Sequence, residues 1–277
     1  MKSYLAGFLA QPQVQAHIYD QNIMKVAIVI EAHYNLSSLS SVLEDIRKQK
    51  LYQTKIDIYV VDNALDEFNQ AYLQKFDFTQ ITFLQPEQKF ADHEGLYYGL
   101  QFVSKLKYDY IWLLDSDVRL DPLALTTLIT TLQEHNEVGL VCSQVYERKE
   151  PKTIQEFGNF INSNYPQLTT NFAKQDNIIL GEELLHNKAY IQVEYCAAKS
   201  LLLPYQVVQH LGVCKDFGVN FKSTDLCMQV QKAGWIIAVN PSSIIWHNSP
   251  DLELWSWINY DHKYSFYYWQ KYRPDLF

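Results

Sequence analysis

The sequence predicts an α/β domain with a mostly parallel central sheet and helices on both faces of that sheet. Two observations support this fold class. Over the first half of the chain, apolar segments of strand length alternate with segments whose apolar residues recur every three or four positions. The apolar segments are also nearly continuous, which is typical of parallel strands buried on both faces.

The predicted elements follow one another in β-α-β order. Strand patterns cover 25–32, 55–64, 81–84, 110–114, 138–146 and 235–248, with a further regular stretch at 190–204. The first two helices are defined by apolar residues on one face, namely Leu36, Leu39, Val42, Leu43 and Ile46, then Phe68, Tyr72 and Phe76. Later helices are expected at 94–107, after Pro122, at 204–211, and at 225–234, where Gly234 is a normal helix stop.

The chain contains no repeat, low-complexity segment or linker, so we predict one domain. We expect an N-terminal extension at 1–24, the domain itself at 25–250 with an insertion or long loops at 147–190, and an aromatic helix at 251–277. The extension is a poor secretory signal and is better read as a short added helix. The tail aromatics would pack over a ligand cleft, form a dimer contact or pack in the core.

Composition excludes several classes of protein. The 31 acidic residues outnumber the 23 basic ones, which argues against a nucleic-acid binder. No apolar run approaches the length of a membrane span. The four cysteines show no C-x-x-C pairing, so we expect reduced, mostly buried thiols of a cytoplasmic protein, without a zinc site or a disulfide. They are Cys142, Cys196, Cys214 and Cys227.

Polar side chains follow three of the predicted strands at the point where each strand ends. These residues are Glu31, the pair Asp62 and Asn63, and the pair Asp115 and Asp117. Ligands of open α/β sheets bind at the carboxyl ends of the strands, and adjacent carboxylates suit Mg²⁺ or Mn²⁺. The alternative is a solvated turn in which Asp121 and Pro122 start the next helix.

Four segments, in this order, resemble the family 2 glycosyltransferases of GT-A fold, from about Lys25 to about Asn248. They are "VAIVIEAHYN", "IYVVDNALDE", "YDYIWLLDSDVRLDP" and "FKSTDLCMQVQKAGWIIAVNPSSIIWHN". Within this family, the segments resemble those of the bacterial rhamnosyl- and galactofuranosyl-transferase group. The resemblance implies inverting, metal-dependent transfer of a sugar from a UDP- or dTDP-sugar to a hydroxyl of a glycan or lipid-linked acceptor, in bacterial surface polysaccharide synthesis.

The resemblance also implies the site residues. A Mn²⁺ or Mg²⁺ cofactor would be held by Asp115, Asp117 and His247. The nucleotide-sugar would contact Glu31, Ala32, His33, Asp62, Asn63, Asp92, His93, Asp115 and Ser116. Two of these assignments have structural alternatives, because His247 could be a hydrogen-bonded structural residue, and Asp92 with His93 could form an ordinary helix start.

The expected catalytic base is where the chain departs from the family pattern. Relatives carry E-D-x-D-L before the acceptor-side helix, whereas this chain has Lys222-Ser223-Thr224-Asp225-Leu226. Serine is not a base near neutral pH without an activator. Asp225 takes over as the predicted base, Asp216 or Glu194 is the alternative, and Ser223 could simply cap the helix.

A second hypothesis is a catalytically weak, nucleotide-sugar-binding partner subunit of an active transferase. A nucleotidyltransferase is disfavoured because "EAHYNLSS" has neither glycine nor a basic residue, and a dehydrogenase because no G-x-G-x-x-G follows a strand. A cytoplasmic location is expected. Contact with the inner face of the membrane and a homo-oligomer are left open.

Overall fold

The computed structural model describes residues 23–32, 36–62, 81–86, 94–161, 169–171, 188–212 and 222–248 of the chain. Three of the predicted structural segments lie outside these residues. They are the N-terminal extension up to residue 22, the helix with Phe68, Tyr72 and Phe76, and the aromatic helix at 251–277.

The described residues form twelve strands and five helices. The strands are β1 Met24–Ala32, β2 Thr54–Asp62, β3 Ile81–Leu84, β4 Tyr110–Asp115, β5 Arg119–Leu120, β6 Val138–Glu147, β7 Ile154–Glu156, β8 Asn159–Ile161, β9 Thr169–Asn171, β10 Ile191–Val193, β11 Ser200–Pro204 and β12 Ile236–His247. The helices are α1 Leu36–Arg47, α2 Glu94–Val103, α3 Ala124–Glu134, α4 Tyr205–Leu211 and α5 Lys222–Lys232.

Ten of the strands form one sheet in the order β10-β12-β6-β11-β4-β1-β2-β3, with β5 beside β12 and β7 beside β6. The neighbours β4, β1, β2 and β3 are parallel to one another, as are β6 and β12. Antiparallel pairings involve the short strands β5, β7, β10 and β11. The predicted α/β class with a mostly parallel sheet is therefore confirmed.

Helices cover both faces of the sheet, as the continuous apolar strands predict. Alternate residues of β1 point to opposite sides, so Ile28 and Ile30 pack with α1 and α3, whereas Ala27 and Val29 pack with α2, α4 and α5. All four side chains are fully buried. Helix α2 lies so close to β1 that a Cβ on Gly99 would collide with Val29. Only glycine permits this approach.

A buried chain of hydroxyl groups fixes the sheet against α3. Trp112 Nε1 donates to Ser200 Oγ at 3.0 Å, and Ser243 Oγ donates to the Ala124 carbonyl at 2.9 Å. Ser143 Oγ connects these two serines at 2.7 and 2.8 Å. This series of hydrogen bonds starts at the Trp112 N–H, which can only donate, and ends at the Ala124 carbonyl, which can only accept. Each serine hydroxyl between them can therefore accept one hydrogen bond and donate the next.

Asp45 on α1 fixes the segment that follows the acidic pair of β4. Its carboxylate accepts hydrogen bonds from Arg119 Nε at 2.5 Å, Arg119 Nη2 at 2.9 Å and the Leu120 amide at 3.2 Å. Burial acts to raise the pKa of Asp45, but the bonds from Arg119, Leu120 and Lys48 outweigh burial and lower the pKa below its ordinary value. The short strand β5 is thereby held between α1 and β12.

We predict that Asp45→Asn lowers the free energy of unfolding by about 2 kcal/mol at neutral pH, since the charge-assisted bonds to Arg119 are lost. The folded-state pKa is depressed, so this contribution is complete above the unfolded value of 3.8 and is lost as the pH falls below it. Urea unfolding of both proteins at neutral pH and near pH 3 measures the difference. A difference that does not shrink in acid would contradict the assignment.

Residues 147–190 contain more regular structure than the predicted insertion or loops. Strand β7 extends the main sheet, and β8 pairs with β9 in a separate two-stranded sheet. The stretch at 190–204 divides into β10 and β11, which lie on different parts of the main sheet. Strands of three residues are too short to show an apolar period, which explains why the sequence does not reveal them.

The expectation that all four cysteines are reduced is wrong for two of them. Cys142 on β6 forms a disulfide with Cys196, 54 residues later in the chain. The pairing of β11 with β6 places Leu201 beside Cys142 and so brings Cys196 near. Cys227 is a free, buried thiol, and burial raises its pKa to about 12. No helix among the described residues is long and apolar enough to span a membrane.

Candidate active site

The ends of three central strands lie side by side at the carboxyl edge of the sheet. In the register of β1 with β4, Glu31 lies opposite Asp115. In the register of β1 with β2, Ala32 lies opposite Asp62. Glu31, Asp62 and Asp115 therefore meet at one edge, where open α/β sheets bind ligands.

Asp115, Asp117 and His247 form a cluster at this edge. One ligand atom from each of the three side chains lies within 4.8 Å of the other two. The Ser116 amide donates to Asp115 Oδ1 at 2.7 Å, and His247 Nε2 lies 3.3 Å from Asp117 Oδ1. The pairing of β5 with β12 explains why these side chains lie close together. Arg119 lies opposite Trp246, so Asp117, two residues before Arg119, lies near His247, the residue after Trp246.

The chemistry of this cluster fits a divalent cation. Two carboxylates and one imidazole offer oxygen and nitrogen ligands, and carboxylates suit Mg²⁺ and Mn²⁺. The imidazole favours Mn²⁺ of the two, since Mg²⁺ binds mainly oxygen. A cation would also offset the repulsion between two carboxylates that are one residue apart.

His247 is oriented by a contact that the sequence does not reveal. The histidine is 7% exposed, and its Nδ1 lies 3.0 Å from Gln155 Oε1 on β7. This contact leaves the other ring nitrogen directed at Asp117. Gln155 belongs to the region predicted as loops, and one glutamine in a polar stretch carries no recognisable signal.

Glu31 has a structural contact in addition to its predicted part in donor binding. Its side chain is 1% exposed, and Oε1 accepts a hydrogen bond from the Gly95 amide at 3.1 Å, in the first turn of α2. Helix N-termini attract carboxylates because their first amides lack partners within the helix. A Cβ on Gly95 would lie 2.7 Å from Glu31 Cγ, so the contact requires glycine. Ala32 is fully buried next to it.

Asp62 lies at the end of β2 and is 6% exposed. Gln85, one residue beyond β3, directs its Nε2 at Asp62 Oδ2 over 3.4 Å. The parallel pairing of β2 with β3 produces this neighbour, since Val61 lies opposite Leu84. Gln85 is a second group beside the predicted nucleoside contact, and the sequence prediction does not include it.

Helix α5 begins at Lys222, three residues earlier than predicted, which places Ser223 inside the helix rather than at its cap. Asp225 lies in the first turn, is 3% exposed and accepts a hydrogen bond from Gln229 Nε2 at 2.8 Å. Burial raises the pKa of Tyr97 well above its ordinary value, and the negative charge of Asp225 adds to this effect. Tyr97 therefore keeps its proton at neutral pH.

A partly buried ion pair lies beside the acidic cluster, between Lys199, just before β11, and Glu156 at the end of β7. The Asp115 amide donates to the Lys199 carbonyl at 3.1 Å, and Lys199 Nζ is 3.3 Å from Glu156 Oε2. Asn159 Nδ2 and the Ala197 amide donate to Glu156 Oε1 at 3.0 and 2.8 Å. The sequence prediction misses this pair because Glu156 ends a three-residue strand and Lys199 lies in the loop before β11, and only tertiary pairing brings them together.

The remaining predicted residues divide into two groups. Glu194, the alternative base, is half-buried, and its carbonyl accepts a hydrogen bond from Gln231 Nε2 at 3.1 Å. The other candidates lie outside the described residues, and they are His33, Asn63, Asp92, His93 and Asp216.

Two solved structures have a similar fold. GalNAc-T7, solved with UDP, GalNAc and Mn²⁺, matches with a TM-score of 0.63 and 12% identity over 83% of this chain and 45% of its own. The mannosyltransferase PcManGT from Pyrobaculum calidifontis, solved with GDP-Man and Mn²⁺, matches with a TM-score of 0.57 and 13% identity over 84% of this chain and 59% of its own. The matched region is thus about half the length of these two proteins.

A search of curated protein sequences finds no significant match. The family comparison is more specific than the structural ones, which show a shared fold at low identity. The model of "Glycosyl transferase family 2" matches residues 27–185, more than half of the chain, from the middle of β1 across the acidic cluster of β4. The chain belongs to glycosyl transferase family 2.

Proposed function

We propose that the chain is an inverting, metal-dependent glycosyltransferase. It moves a sugar from a nucleotide-diphosphate donor to a hydroxyl of a glycan or glycolipid, in the synthesis of a bacterial surface polysaccharide. The observation that carries the proposal is the cluster of Asp115, Asp117 and His247 at the carboxyl edge of the sheet. Family membership supports the reaction class.

The donor would lie along the ends of β1, β2 and β4. Asp62 binds the nucleoside together with the backbone from Glu31 to His33, and Asn63, Asp92, His93 and Ser116 complete the predicted contacts. The Glu31 side chain contributes indirectly, because it accepts a hydrogen bond from the Gly95 amide and so fixes α2 against β1. UDP, dTDP and GDP are the nucleotides to test.

Asp115, Asp117 and His247 would hold Mn²⁺ or Mg²⁺ next to the diphosphate. A bound cation would offset the negative charge that develops on the leaving diphosphate. The protein holds two of the ligands to this cation in place. Asp115 is held by the Ser116 amide, and the segment after Asp117 is held by the bonds between Arg119 and Asp45.

In the transfer step, the acceptor oxygen attacks the anomeric carbon from the side opposite the diphosphate. The bond from that carbon to the diphosphate oxygen breaks, the oxygen keeps the electron pair, and the configuration inverts. Asp225 receives the proton of the acceptor hydroxyl. One contact supports this role, because Gln229 Nε2 donates to the Asp225 carboxylate at 2.8 Å and so orients it.

Two observations favour a second candidate function, a nucleotide-sugar-binding subunit with little turnover. Ser223 occupies the position where relatives carry the base, and Asp225 is only 3% exposed. A base that is buried must be reached by the acceptor before it can take a proton. The binding subunit would retain the cation and the donor nucleotide without transferring the sugar.

One set of assays separates these two functions. Purified protein is incubated with Mn²⁺ and a panel of UDP-, dTDP- and GDP-sugars, and release of the nucleoside diphosphate is measured with and without EDTA. A transferase should release diphosphate from at least one donor, and EDTA should stop the release. Tight binding of a nucleotide without turnover of any donor would favour the binding subunit.

We further propose that residues 25–250 form the catalytic domain, flanked by the 1–24 extension and the 251–277 helix. The acceptor would be delivered from the inner face of the membrane, with a homo-oligomer as one arrangement of the protein. A cytoplasmic location remains a proposal, since the disulfide between Cys142 and Cys196 removes the argument from reduced thiols. Trapping the thiols with an alkylating agent at cell lysis tests this point.

A further inference from the structure

His247 can ligate a cation through Nε2 only if that nitrogen carries a lone pair, so the proton of the neutral ring must lie on Nδ1. A proton on Nδ1 requires an acceptor, because a buried N–H without a partner is costly. The His247 side chain is 9% exposed, so water contributes little to this choice. The residue that faces Nδ1 therefore determines whether His247 is ready to bind a cation.

Gln155 is that residue, and the backbone holds it in place. Its Oε1 lies 3.0 Å from His247 Nδ1. In the pairing of β6 with β7, Val145 lies opposite Glu156 and Tyr146 opposite Ile154, so Gln155 is the extra residue of a β-bulge. Bulges redirect a side chain out of the regular alternation and are common beside active sites.

Further backbone bonds hold the two side chains together. The Glu147 amide donates to the Thr153 carbonyl at 2.8 Å, and the Arg148 amide donates to the His247 carbonyl at 2.9 Å. The end of β6 is thereby bonded both to the segment before β7 and to the end of β12. The contact between Gln155 and His247 joins parts of the sheet that are already fixed.

We propose that Gln155 is a positioning residue for the metal centre. Its Oε1 accepts the Nδ1–H of His247, which selects the tautomer whose Nε2 lone pair faces Asp115 and Asp117. The inference rests on the proposed function, because it assumes a cation at that cluster. Partners that fix the tautomer of a metal-binding histidine typically change metal affinity by 10- to 100-fold, roughly, when they are removed.

Rotation of the Gln155 amide by half a turn gives the competing arrangement. Gln155 Nε2 would then donate to Nδ1, and the proton on His247 Nε2 would face Asp117 Oδ1 at 3.3 Å. That arrangement blocks the ligand position. A glutamate at position 155 accepts hydrogen bonds but cannot donate them when ionised, so Gln155→Glu separates the two arrangements.

The test measures Mn²⁺ affinity by electron paramagnetic resonance on the full chain, without any sugar donor. Gln155→Leu should weaken Mn²⁺ binding by about tenfold or more, whereas Gln155→Glu should retain the wild-type affinity or exceed it. Gln192→Leu, an exposed glutamine on β10, is the matched control and should change nothing. Far-ultraviolet circular dichroism checks that each variant folds.

A second measurement needs no variant. Nitrogen-15 NMR of the wild type saturated with Mg²⁺, which is diamagnetic, at about pH 8, where an ordinary imidazole is neutral, should show the His247 proton on Nδ1. A proton on Nε2 would overturn the inference, as would equal Mn²⁺ affinity of wild type and Gln155→Leu or an equal loss in Gln155→Glu. A wild type that binds no Mn²⁺ would instead remove the proposed metal centre, so the two failures are distinguishable.

Discussion

Asp117→Ala should abolish the Mn²⁺-dependent part of nucleotide binding. Because the variant removes one carboxylate ligand and leaves only Asp115 and His247, we expect UDP or GDP affinity in Mn²⁺ to fall by at least about 100-fold, or roughly 3 kcal/mol. The residual affinity should equal that of the wild type in EDTA. Isothermal titration calorimetry with and without EDTA measures both quantities.

The matched control is Asp109→Ala. Asp109 is an exposed carboxylate just before the amino end of β4, where it accepts a hydrogen bond from the Lys25 amide at 2.7 Å. Asp109→Ala removes the same charge as Asp117→Ala, but near the amino end of β4 rather than beyond its carboxyl end. The nucleotide affinity of this control should therefore stay near the wild-type value. Equal nucleotide affinity of Asp117→Ala and wild type in Mn²⁺ would remove Asp117 from the metal site.

Asp225→Asn should reduce turnover by two or more orders of magnitude, which is the usual size of a general-base contribution. Asparagine keeps the shape of the side chain and can still accept the bond from Gln229, but it cannot take a proton. Donor binding should therefore be unchanged while the transfer rate falls. Steady-state kinetics with the donor identified in the panel measures both quantities.

Two further variants decide between the candidate bases. Ser223→Ala should retain the wild-type rate, since a serine without an activator does not act as a base. Glu194→Gln should also retain it, because Glu194 is the alternative and not the proposed base. A near-normal rate in Asp225→Asn combined with a large loss in Glu194→Gln would transfer the role to Glu194.

The sheet was predictable from the sequence because its long strands are buried on both faces. The segment from Tyr110 to Leu114 is continuously apolar, and in the structure it lies between β1 and β11 with helices above and below. A strand in that position has no solvated side that could introduce polar residues. The carboxyl end of β4 was equally clear, because the sequence changes there from the buried Leu114 to the partly exposed Asp115.

The meeting of the acidic residues followed from the parallel direction of the strands. Parallel strands place their carboxyl ends at one edge, so Glu31, Asp62 and Asp115 had to come close once the β-α-β order was recognised. His247 was harder, since it comes more than a hundred residues later. Only the resemblance to a family pattern connected it with Asp115 and Asp117.

The short strands and their contacts could not be predicted. Gln155 reaches His247 through a bulge, and whether a three-residue strand contains a bulge depends on tertiary pairing and not on local pattern. The disulfide from Cys142 to Cys196 likewise depends on where β11 enters the sheet. The part of Glu31 in holding α2 was also hidden, although Gly95 and Gly99, four residues apart, are a sign of close helix packing.

The most direct test of the metal centre is a crystal structure with UDP and Mn²⁺, using anomalous scattering to locate the manganese. We expect one manganese peak in contact with Asp115, Asp117 and His247, and beside the diphosphate of the bound nucleotide. A nucleotide bound at the carboxyl edge with no manganese peak at these three side chains, or with the peak elsewhere, would contradict the account.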